Sequence, residues 1–177
     1  MIRLRDFGAP LKIVRMNNSP AAAVWTRPDW VARTRVMLDS FRRLLGRELV
    51  ERTGDPIEDS RRLFEAPFVV VAHGTEADPI LNYGNRTALD LWQTDVESLC
   101  RMPSRLTAEA PERAERERLL ARTARDGYVD DYRGIRITRT GRRFEIDRAI
   151  VWNLTDAAGQ RVGQAATFAT WRFLGVS

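Results

Sequence analysis

The spacing of apolar and polar positions changes period along this chain, and each change marks a predicted element. From Pro28 to Val50, the residues Met37, Leu38, Phe41, Leu44, Leu45 and Leu49 recur at helical spacing, with Arg35, Arg42, Arg43 and Arg47 opposite them. This predicts an amphipathic helix. Thr26 with Asp29 reads as its capping box, Pro28 suits the first turn, and Thr53-Gly54 is the predicted stop. Asp55-Pro56 opens a shorter helix with Ile57, Leu63 and Phe64 as its apolar contacts. The run Pro67 to Ala72 is continuous, apolar and rich in β-branched residues, which predicts a buried strand. His73 to Pro79 is turn chemistry, and Ile80 to Tyr83 completes a hairpin. Short helices follow over Arg86 to Trp92 and Asp95 to Cys100, with a loop at Pro103-Ser104-Arg105. A longer helix is N-capped by Thr107, reaches Arg125 and is closed by Gly127.

After Gly127 the period falls to two. Tyr128 to Thr138, Phe144 to Leu154 and Val162 to Trp171 read as strands, separated by turns at Thr140-Gly141 and Asp156 to Gly159. The predicted fold class is α+β: a five-stranded antiparallel sheet with a helical crossover between strands 2 and 3, preceded by an amphipathic helix. Residues 1–27 read as a loosely attached arm, 28–65 as N-terminal helices and 66–172 as the domain proper.

Composition narrows the function classes. At 177 residues the chain is about one domain long. The net charge is +5, and Lys12 is the only lysine. The arginines are interleaved with acids, as in Glu112 to Arg118, and no basic stripe carries aromatics, which argues against nucleic acid as partner. No apolar run approaches the ~20 residues that span a bilayer, and no apolar signal core follows Met1 to Asp6. With Cys100 as the single cysteine, a cytoplasmic address is expected.

Catalytic patterns are missing from the sequence. No Ser or Cys nucleophile has a plausible His base, and no glycine-rich phosphate loop occurs. His73 is the only histidine, so a zinc site lacks ligands. The chain is therefore expected not to be an enzyme.

The segment Leu81-Asn82-Tyr83-Gly84-Asn85-Arg86-Thr87-Ala88-Leu89-Asp90-Leu91-Trp92 resembles the PAS signature, and Thr140-Gly141-Arg142-Arg143-Phe144 resembles the turn into the fourth PAS strand. More narrowly, the chain resembles the MEKHLA domain, a PAS relative. The resemblance runs through Leu38 to Gly46, Ala66 to Val70, His73 to Asn85, Pro103 to Glu109, Asp131 to Gly134 and Val151 to Leu154, covering about residues 30 to 172. It implies a PAS-like fold and a sensory or regulatory role, and it names no ligand or cofactor. Flavin-binding relatives carry Asn-Cys-Arg-Phe-Leu, whereas this chain has Leu99-Cys100-Arg101-Met102-Pro103. Haem-binding relatives take an axial His from the long helix, which has none here.

In such a fold a small molecule sits between the sheet and the short helices, which requires an apolar cavity with a few converging polar groups. The candidate ligand-binding residues are His73, Tyr83, Asn85, Trp92, Arg105, Tyr132, Arg136, Trp152 and Gln164. Arg105 would grip an anionic ligand, because a guanidinium binds a carboxylate in bidentate fashion. A second reading is a protein-interaction or homodimerisation module using the Met37 to Leu49 stripe. A third is a small α+β enzyme with Asp131, Tyr132 and His73 as acid–base groups. The sequence contains no kinase or helix-turn-helix, so any signal is expected to pass by contact to a protein partner.

Overall fold

The computed structural model describes residues 23–175, so most of the arm expected at 1–27 lies outside the described residues. Helix α1 (Pro28–Leu45) begins behind a short 3₁₀ turn at Val24–Thr26. The expected capping box does not form. Thr26 turns its hydroxyl back to the Ala23 carbonyl at 2.8 Å, and Asp29 pairs with Arg27 at 3.0 Å. The helix also stops before the expected Val50. Gly46 takes a left-handed φ of 69° and donates its N–H to the Arg42 carbonyl, a conformation that favours glycine and ends the helix there. Helix α2 (Pro56–Phe64) is capped by Asp55, whose carboxylate accepts from the Ile57 N–H at 2.9 Å. Leu63 and Phe64 are buried, but Ile57 points to solvent.

The sheet comprises β1 (Val69–His73), β2 (Leu81–Gly84), β3 (Tyr128–Ile137), β4 (Arg143–Thr155), β5 (Arg161–Phe168) and β6 (Thr170–Phe173). Its spatial order is β2-β1-β5-β4-β3, antiparallel throughout. The predicted last strand is interrupted at Ala169, yet β6 continues on β4 in the register that β5 began: Ile150 faces Thr167 and Asp147 faces Thr170. The crossover holds α3 (Arg86–Trp92), α4 (Val96–Leu99), a 3₁₀ turn at Ser104–Thr107, and α5 (Ala110–Asp126). Helix α5 starts after the expected Thr107, whose hydroxyl instead closes the 3₁₀ turn on the Ser104 carbonyl at 2.7 Å. Gly127 closes the helix at φ 91°, as expected.

Alternation divides the sheet into two faces. The outer face presents Val70, Ala72, Trp152, Leu154 and Ala165 to α1 and α2, where Met37, Leu38, Phe41 and Leu63 are fully buried. Each such side chain stabilises the fold by about 1.5–3 kcal/mol. Trp152 donates its indole N–H to the Met37 carbonyl at 3.3 Å and meets Phe41 edge-on at 5.1 Å. The centre of the α1 stripe therefore covers the chain's own sheet. The inner face carries Val69, Val71, Phe144, Ile146, Ala149, Val151 and Phe168 beneath α3 and α5.

Candidate functional site

Inner-face packing is incomplete and leaves a cavity of about 70 Å³ between the sheet, α5 and the Ser104–Thr107 turn. Its apolar walls come from Val71 on β1, Ala166 and Phe168 on β5, Ile146, Ala149 and Val151 on β4, Trp92 on α3, and Leu119 and Leu120 on α5. Into this space converge His73, Ser104, Thr107, Arg116, Tyr132, Arg136 and Gln164.

The charge balance there is unusual. Arg116 and Arg136 are 7% and 6% exposed, and among the described residues neither has a carboxylate within ion-pair distance. Arg116 donates to the Ser104 hydroxyl at 2.7 Å. Burial, followed by the nearby positive charge of Arg136, lowers the Arg116 pKa to about 10. Arg136 donates to the Tyr132 hydroxyl and to the Ile135 carbonyl, each at 2.7 Å, and its guanidinium lies 5.1 Å from the Tyr132 ring centre. Gly134 makes this pairing feasible, because any Cβ there would collide with the Tyr132 hydroxyl. No Asp or Glu lines the cavity.

His73 has one nitrogen engaged and one free. Its Nδ1–H donates to the Gly74 carbonyl at 2.8 Å, which leaves Nε2 as a buried acceptor without a partner. Burial lowers the imidazole pKa, and the Arg116 charge adds to that, so the ring is held neutral. Gln164 fastens the helix to the sheet by donating to the Leu120 carbonyl and to Asn153 Oδ1, each at 3.0 Å. Trp92 is wedged edge-on against Phe144 and Phe168, and its indole N–H is buried without a partner.

The structure thus brings together His73, Trp92, Tyr132, Arg136 and Gln164 from the sequence-derived candidates, and it places the other four elsewhere. Asn85 is fully buried as a structural hub. Its Oδ1 accepts from the N–H groups of Val70 and Ala88 at 2.9 and 3.1 Å, and its amide donates to the Phe68 carbonyl at 2.7 Å. Tyr83 stacks on Trp30 at 4.6 Å in the outer-face core. Arg105 is half-exposed and pairs with Asp78 at 3.1 Å, pinning the 3₁₀ turn to the β1–β2 loop. Trp152 faces α1. Asp131 is exposed on β3, so the acid of the proposed acid–base set is not in the cavity. Cys100 lies in a separate groove with Trp25, Trp30 and Arg33.

Arg116 was not among the candidates, because it sits in the charged run Glu112 to Arg118. A helical signal nevertheless singles it out: Arg116, Leu119 and Thr123 form a buried stripe on α5. The arginine occupies an inward position on an otherwise solvated helix.

A sheet in the order 2-1-5-4-3, a helical crossover and an inner-face cavity define a PAS-like fold. The PAS domain of a protein from Colwellia psychrerythraea superposes with a TM-score of 0.56 at 11% identity, over 66% of this chain and 94% of that one. A PAS domain from a two-component sensor histidine kinase gives 0.51 at 13%, over 64% and 91%. A light-oxygen-voltage domain from work with a flavin analogue gives 0.52 at 13%, over 66% and 84%. Within this class, the MEKHLA domain family matches residues 31–173, and the chain belongs to that family. The match begins inside α1, so the outer-face helices fall within it. No curated protein matches the chain in sequence.

Proposed function

We propose that this chain is a non-catalytic sensory or regulatory module that binds a small molecule in the inner-face cavity and signals through protein contacts. The observation that carries the reading is the concentration of buried, incompletely partnered polar groups around one inner-face cavity. Buried polar atoms are normally satisfied, so His73 Nε2 and the Trp92 N–H call for an occupant. The fold supplies a route for the signal. Residues alternate along β1, β4 and β5 between the cavity and α1, so a shift of the sheet by a ligand reaches the outer helix directly.

The flavin of the light-oxygen-voltage relative does not fit here. Drug-sized ligands occupy roughly 300–1,000 Å³, far above the 70 Å³ available, and Cys100 is not on the cavity wall. No helix among the described residues is long and apolar enough to cross a membrane.

A metabolite screen by thermal shift tests the reading, run on the wild-type chain and on Ala149→Leu, which fills the cavity. The proposal expects a compound that raises the wild-type Tm and leaves the variant unmoved. A screen in which no compound acts on the wild type, or in which the variant responds equally, would refute it.

A further inference from the structure

The cavity's charge and size identify the class of its occupant, an inference that rests on the small-molecule reading above. The geometry points to a short-chain carboxylate, its head group held by Arg116 and Arg136 and its tail against Ile146, Val151 and Phe168. Two guanidinium groups are buried on the same cavity, with their described partners all neutral: the Ser104 hydroxyl, the Tyr132 hydroxyl and the Ile135 carbonyl. Removing two like charges from water without a counter-ion is strongly unfavourable unless an anion completes the site. A guanidinium offers paired N–H donors that match the two oxygens of a carboxylate.

The rest of the wall rejects a fully hydrated polyanion, because most of it is aliphatic and aromatic. The space of about 70 Å³ is well below the roughly 300–1,000 Å³ of pockets that hold drug-sized ligands. A carboxylate with one or two further carbons fills it; a nucleotide or an aromatic cofactor does not. His73 is neutral and adds no competing charge; its free Nε2 is a lone pair that a carboxylate cannot satisfy, so the head group lies against the two arginines and not against the imidazole.

The test is a thermal-shift and calorimetric titration of the full 177-residue chain with sodium propionate at constant ionic strength, set against propionamide and inorganic phosphate. Propionate is expected to raise Tm in a saturable way and propionamide, which has the same shape without the charge, to leave it unchanged. Arg116→Met and Arg136→Met should each abolish the response. Arg116→Met should also leave the ligand-free Tm unchanged or higher, since a buried unpaired charge is removed; a merely structural arginine would give a fall. An equal response to propionamide, a phosphate response matching that of propionate, or a response surviving in Arg116→Met would each overturn the assignment. If either variant does not fold, the comparison of propionate with propionamide on the wild type still decides. Stabilisation by a neutral compound alone would overturn the carboxylate while leaving the small-molecule module standing. Failure of all three compounds would overturn the carboxylate and leave the small-molecule module to the wider metabolite screen.

Discussion

Replacing Asn85 by Ala separates a structural asparagine from a ligand contact, and the size of the effect follows from its bonds. Asn85 is fully buried at the junction of β2 and α3. Its carbonyl oxygen satisfies the Val70 N–H in β1 and the Ala88 N–H in the first turn of α3, while its amide reaches the Phe68 carbonyl. Truncation strands two buried N–H donors, each costing about 1–3 kcal/mol, and the lost cap is already included in the second. The expected loss is about 3–5 kcal/mol, against a total stability of roughly 5–15 kcal/mol for a domain. Urea titration followed by tryptophan fluorescence measures it, with an unchanged m-value confirming that both end states are comparable. Asn85→Asp should recover part of the loss, because Oδ1 still caps α3, but not all of it, because a carboxylate then faces the Phe68 carbonyl. A loss below about 1 kcal/mol in Asn85→Ala would refute the hub and return Asn85 to the list of ligand contacts.

Other substitutions probe the same framework. Arg105→Ala should change stability by less than about 1 kcal/mol, because its ion pair with Asp78 is half-exposed, and should leave any ligand response intact in the thermal-shift assay. Gly134→Ala should displace Tyr132 from Arg136, lower Tm and abolish ligand stabilisation together. Phe41→Ala removes a fully buried ring between α1 and Trp152 and should cost about 3–5 kcal/mol by urea titration. His73 sets a pH dependence. Its folded pKa lies below the ordinary value near 6.5, so the unfolded chain binds the extra proton first as pH falls. Its contribution is therefore complete above about pH 6.5 and lost as the pH drops through 6.5 toward the depressed folded value. Between pH 7 and 5 the wild type should lose more stability than His73→Asn, which keeps a donor toward the Gly74 carbonyl; equal slopes would contradict a buried neutral imidazole.

Strand and helix order were legible in the sequence because periodicity and turn residues agree along most of the chain. The faces of the strands were less so, and bulges are the physical reason. On β4, Phe144 and Ile146 face inward, and simple alternation would then put Trp152 on the cavity. Arg148 takes a φ of 49° and inserts a residue, so Ala149 and Val151 turn inward and Trp152 turns out to α1. An irregularity in β3 likewise separates Val129 from Tyr132 and leaves Asp130 and Asp131 both in solvent. The chemistry of Tyr83 and Arg105 does not reveal that a nearby Trp30 or Asp78 already engages them. Arg116 was hidden by its charged neighbours, although its helical phase with Leu119 and Thr123 marks it as inward.

A crystal structure of the chain grown with propionate examines the cavity itself. The account predicts ordered density between Val151 and α5 in contact with both the Arg116 and Arg136 guanidinium groups. A cavity closed by Leu119 and Ile146, or one holding only water while the arginines turn to solvent, would contradict it.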